Sequence, residues 1–112
     1  MSEVTIQSLE QQLKDAKATV ERRDMAVRLA SNPDFKKLVL DGFCLHEAAR
    51  YVQASTDPAL GDKERADSLA IAQASGHFRK WMQVQMAMGY QASLEIRQLE
   101  DEIEVMRQEG GE

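Results

Sequence analysis

From Lys63 to Arg107 the chain contains no proline, Pro58 being the last in the sequence. Along this run Phe78, Met82, Gln85, Gly89, Ala92, Ile96, Leu99, Ile103 and Met106 alternate four and three residues apart. That spacing keeps one stripe of a helix turned toward one partner. The run is therefore expected to form a single helix of about 45 residues, ~67 Å long. The stripe is weak at Gln85 and Gly89 and clean from Ala92 onward.

A second seam of similar length lies at the other end. Ile6, Leu9, Leu13, Ala16, Val20, Arg23, Val27 and Ala30 repeat with the same spacing, so residues 3–31 are expected to be helical, with Arg23 the one polar member. Met25 and Leu29 widen the apolar face near its end. Asn32-Pro33 closes this helix, because a residue before proline is pushed out of the α region. Ser31 or Asn32 then caps the next. Two short helices are expected, at about 33–41 with Phe35, Leu38 and Val39 inward, and at about 44–54 with Leu45, Ala48, Ala49 and Val52 inward. Gly42 stands where a left-handed C-terminal residue belongs. Residues 55–62 read as the main loop, with Asp62 the N-cap of the long helix. Ala66, Leu69, Ala70, Gln73, Ala74 and His77 form a stripe of mostly small side chains against which the short helices would pack. The fold class is all-α: an elongated antiparallel helical hairpin, or coiled coil, of helices 3–31 and 63–107, with the short helices as a head. One domain spans 1–112, and residues 108–112 form a frayed tail. Whether the seams close within one chain or between chains is open at this level.

The net charge is −5, and all of the excess lies in residues 95–112, where seven acids face Arg97 and Arg107. A broad nucleic-acid surface needs clustered bases and is not expected. The single cysteine, Cys44, excludes an internal disulfide and fits a reducing compartment. No run reaches the ~20 apolar residues of a membrane span, and the N-terminus lacks the basic and apolar regions of a signal peptide.

No catalytic, cofactor or metal site is expected. Cys44, His46 and Glu47 are the one close grouping of ligand types, and structural zinc wants four ligands in spaced pairs. A buried cysteine beside an exposed polar pair explains them. His77 reads as a partly buried, hydrogen-bonded histidine. Arg23 either lays its stem along the seam with its head on a carboxylate, Glu100 to Glu104 being candidates, or fixes register. Phe35, Gly42 and Ala48-Ala49-Arg50 have the cadence of a helix-turn-helix, and a DNA contact would use Lys36, Lys37 and Arg50. One arginine beside a glutamate reads base edges poorly, so nucleic acid is not the expected partner. Around Trp81 the apolar surface widens: Trp81, Val84 and Met88 make one stripe, and Met82, Met86 and Tyr90 another. One partner helix cannot cover both. These six are the expected protein interface, for a homo-oligomer or a further protein.

Glu21-Arg22-Arg23-Asp24, Asn32-Pro33-Asp34-Phe35-Lys36-Lys37-Leu38-Val39-Leu40-Asp41-Gly42-Phe43 and Glu47-Ala48-Ala49-Arg50, in that order, resemble a family of small uncharacterised helical proteins of tailed bacteriophages. Arg79-Lys80-Trp81 and Met88-Gly89-Tyr90 fill the places of its later motifs. The resemblance covers about residues 20–95, and Cys44 and His46 fall outside its pattern. It implies a non-enzymatic structural or virion-assembly protein, located in the host cytoplasm or the virion. The alternatives are a host-directed protein-binding inhibitor and a helix-turn-helix DNA-packaging adaptor.

Overall fold

The computed structural model describes residues 4–110, all helix and connecting turns with no strand among them. Residue 3, the expected start of the first helix, and residues 111 and 112 of the expected tail lie outside the described residues. The helices are α1 (Ile6–Ser31), α2 (Pro33–Phe35), a π-helix (Lys36–Glu47), α3 (Ala48–Ala54) and α4 (Asp62–Gln108). They fall into two compact units, one of residues 1–26 and 85–112 and the other of residues 27–84.

Unit 1 is an antiparallel pair made by α1 and the C-terminal half of α4. Leu9, Ala16, Ala92, Leu99 and Ile103 are buried between them, with Ile6, Leu13, Val20, Ile96 and Met106 packed alongside. Every one of these ten belongs to the two heptad seams, so in this unit the seams close within one chain. Burying a side chain such as Leu99 or Ile103 contributes about 1.5–3 kcal/mol. Thr5 caps α1: its Oγ1 accepts the Ser8 N–H at 3.0 Å, and Ser8 Oγ accepts the Thr5 N–H at 3.1 Å. This is a capping box with serine in the usual glutamate position. Arg107 meets Glu10 at 2.7 Å near one end of the pair.

Arg23 sits near the other end. Its guanidinium donates to Asp24 Oδ1 and to the Gly89 carbonyl at 3.5 Å, not to the residues 100–104 offered by the sequence. A Cβ placed on Gly89 would lie 2.1 Å from the Arg23 Cβ and 2.8 Å from its Cγ. Gly89 is therefore no weak point in the seam. It is the gap that receives the base of the arginine side chain. Val27, the next expected seam member, is exposed.

Unit 2 corrects the reading of the head. There are not two short helices with a turn at Gly42. Asn32 caps the start, its Oδ1 accepting the Phe35 N–H at 3.0 Å. Right-handed helical backbone then continues through Lys36 and Ala48 to Ala54. The left-handed glycine among the described residues is Gly110 (φ 76°), just past the end of α4. The middle of the segment is π-wound over 12 residues, long for a winding that usually occurs as a single-turn bulge. The bond from the Ala48 N–H to the Phe43 carbonyl is one of its wide steps. Inward positions consequently fall four and five apart, at Phe35, Leu40, Cys44 and Ala48. An α-helix would have turned Leu38 and Leu45 inward; here Leu38 is 74 % exposed, and Leu45, Ala49 and Val52 are exposed as well.

The stripe on the first half of α4 is also corrected. Ala66, Leu69, Ala70, Gln73, Ala74 and His77 are exposed. The covered side runs through Ser68, Ile71, Ala72, Ser75, Phe78 and Met82. Ser75 is buried with its hydroxyl donating to the Ala72 carbonyl at 2.8 Å. The Phe35 and Phe78 rings meet with centroids 6.3 Å apart. The loop before α4 is tied by Arg65, which donates to the carbonyls of Asp57 and Leu60 and pairs with Asp62.

Two predictions follow from this packing. Gly89→Ala adds a Cβ where the Arg23 side chain already stands. Overpacking costs about 1–3 kcal/mol, against a helix-propensity gain of about 1 kcal/mol. A net loss of stability is expected in urea unfolding. Arg23→Gly in the same chain should restore room, so the double variant exceeds the sum of the singles by at least ~1 kcal/mol in a double-mutant cycle. In unit 2, Leu38→Gln should change stability by no more than ~0.5 kcal/mol, whereas Met82→Ala should cost about 2–5 kcal/mol. A large loss on Leu38→Gln would place that residue inward and rule out the π winding.

Candidate protein-interaction surfaces

The structure separates the six expected interface residues. Trp81, Met82 and Val84 belong to unit 2; Met86, Met88 and Tyr90 belong to unit 1. Met82 is part of the buried core, and Val84 and Met86 are half-buried. Three remain on the surface: Trp81 at 57 %, Met88 at 48 % and Tyr90 at 67 % exposure. Large apolar residues left open after a unit has closed its core mark contact surfaces when they cluster. Unit 2 adds Leu38, Leu45, Val52 and Leu69 to that class, and unit 1 adds Leu94 and Val105.

Unit 1 also has an open groove between its two helices. Ala16, Ala92 and Met88 line it, with Asp15 and Glu95 among its polar residues.

Cys44 is buried in unit 2, while His46 and Glu47 are exposed. Glu47 holds Arg50 at 2.6 Å, and that guanidinium lies 4.9 Å from the Tyr51 ring centre. No group of three or more metal-ligating side chains stands together among the described residues. Burial pushes the Cys44 thiol above its ordinary range, and the charge of Arg79 opposes that shift. Arg50 is thus already engaged by its own helix. The continuous winding through Gly42 also removes the turn that a helix-turn-helix requires. Lys36 and Lys37, by contrast, are exposed and form no ion pair among the described residues.

Arg79 and Lys80 are exposed as well and form no ion pair among the described residues. No helix among the described residues is long and apolar enough to cross a membrane. The chain matches no protein-family model, no curated protein and no solved structure.

The raised thiol pKa of Cys44 has a definite sign in stability. The unfolded thiol ionises first, near pH 8.5, while the folded one keeps its proton. Stability from this group is complete below the unfolded pKa and is lost as pH rises through the folded one. Wild type should therefore lose more stability than Cys44→Ala between pH 7.5 and 10 in urea titrations. Equal losses would show that the folded thiol titrates like a free one.

Proposed function

We propose that this chain is a non-enzymatic structural or assembly protein of a tailed bacteriophage, working through helix-mediated contacts and associating with copies of itself. The observation that carries the reading is the exposure of Trp81, Met88 and Tyr90 on α4 after each unit has packed its own core. Side chains of this size supply much of the binding energy at protein interfaces, Trp and Tyr above all. The ordered motifs from Arg22-Arg23-Asp24 through Glu47-Ala48-Ala49-Arg50 supply the viral part, by resemblance. The acidic run Glu100-Asp101-Glu102 is suited to a basic protein surface and unsuited to nucleic acid. The chain acts in the host cytoplasm and then in the particle.

Mass spectrometry of gradient-purified virions tests this directly, with the chain expected at a defined copy number. Clear expression during infection with absence from particles would replace the reading with that of a transient assembly factor or host-directed binder. Tyr90→Glu should lower the mass in solution by sedimentation equilibrium while leaving helix content unchanged. An unaltered mass would remove Tyr90 from the contact.

A further inference from the structure

The winding of unit 2 and the apolar pattern of its sequence disagree. Leu38, Leu45 and Val52 stand seven residues apart, and Ala49 lies four beyond Leu45. Seven residues of α-helix turn through ~700°, so these four would fall within about 60° of one another. The observed segment leaves all four exposed and turns Leu40 and Cys44 inward instead. The departure lies within Lys36–Glu47, where the winding is π. On either side, Pro33–Phe35 and Ala48–Ala54 are α-helical.

The two windings bury alternative sets. With α winding, Leu40 would stand ~200° from Leu38, and Cys44 ~100° from Leu45. Leu38, Leu45 and Val52 would enter together, and Leu40 and Cys44 would leave. Passing from one winding to the other loses no backbone hydrogen bond, because each N–H exchanges the carbonyl five residues back for the one four back. Phe35 suits both. Its ring already meets Phe78, and α winding would hold it about 60° from Leu38. Gly42 sets the balance. A Cβ there would sit 3.1 Å from the Lys37 carbonyl oxygen, five residues back, so a side chain at this position crowds the π winding.

We propose that residues 36–47 are a two-state element, converting between the π winding and a less populated α winding that draws Leu38, Leu45 and Val52 in and turns Cys44 out. Two packings of one sequence lie close in free energy when each buries an apolar set that the other exposes. A minor population on the order of 0.1–10 % is the range in which such an equilibrium is easily shifted. The element thereby controls whether three large apolar side chains stand on the surface of unit 2. It depends neither on self-association nor on the viral reading.

Cys44 is the one cysteine of the chain, so its reaction with Ellman's reagent reports its turning out. Wild type, Leu38→Gln/Leu45→Gln and Gly42→Ala are compared as full chains at about pH 8, each verified as folded by circular dichroism, in a urea series below the unfolding transition. Wild type should react at a rate that urea barely changes, because the switch exposes little new surface. The two leucines are exposed in the π winding and buried in the α winding. Their replacement should therefore slow the reaction about tenfold or more while leaving stability unchanged. Gly42→Ala crowds the π winding and should speed the reaction about tenfold. A wild-type rate that climbs with urea in step with global unfolding would overturn the switch. So would a Leu38→Gln/Leu45→Gln variant that reacts as fast as wild type, or a folded Gly42→Ala that reacts no faster. If Gly42→Ala does not fold, the leucine pair and the urea series still decide.

Discussion

The close approach of Arg23 to Gly89 sets what α1 and the second half of α4 can do together. A pair of helices has one shared interface, and a seam of repeating apolar residues can engage in more than one register. Here a Cβ on residue 89 would lie 2.1 Å from the Arg23 Cβ. A slide of one helix by a turn would drive the arginine stem into a residue that has a side chain. The Glu10–Arg107 pair is solvent-exposed and worth about 0–1 kcal/mol, so it accompanies the register without enforcing it. The small residues Ala16 and Ala92 are buried in the same cluster as the larger Leu9, Leu99 and Ile103.

In unit 2 the governing constraint is winding rather than register. Changing the inward repeat from three-and-four to four-and-five over residues 36–47 selects a different set of side chains for burial. Cys44 goes in, at 6 % exposure, and Leu38 and Leu45 come out. Gly42 lies in this stretch, and a Cβ there would sit 3.1 Å from the Lys37 carbonyl oxygen five residues back. The glycine eases a crowded π turn; it does not end a helix. The winding leaves Leu38 and Leu45 on the surface.

The sequence was most legible where one α-helical period governs packing. All ten apolar residues of the unit 1 core stand in the two predicted seams. Glycine was the least legible residue. Gly89 read as a lapse in a seam and proved to be the gap that receives the base of the Arg23 side chain. Gly42 read as a turn and proved to be helical. A glycine can serve a left-handed turn, a close approach or a crowded winding, and nothing local in a single sequence separates these. The alanine-rich stripe from Ala66 to His77 misled because small size was taken for burial, while the covered side was carried by Ile71, Ser75, Phe78 and Met82. Of the surface residues, Trp81, Met88 and Tyr90 were visible as an excess over what one partner could cover. Met82 was read both as a seam member and as an interface residue, and its burial fits the seam reading. The Phe35–Phe78 contact spans 43 residues of sequence and has no local signature.

These two constraints together explain why the chain buries so little and exposes so much. Among the described residues of unit 2 only Cys44, Ser75 and Met82 are fully buried, while Leu38, Leu45, Val52, Leu69 and Trp81 stand open. A small domain gains most of its stability from apolar area removed from water, at about 25 cal/mol per Å², and small domains remove proportionally less of it. Closing those side chains inward would require α winding in the segment and a different face of α4.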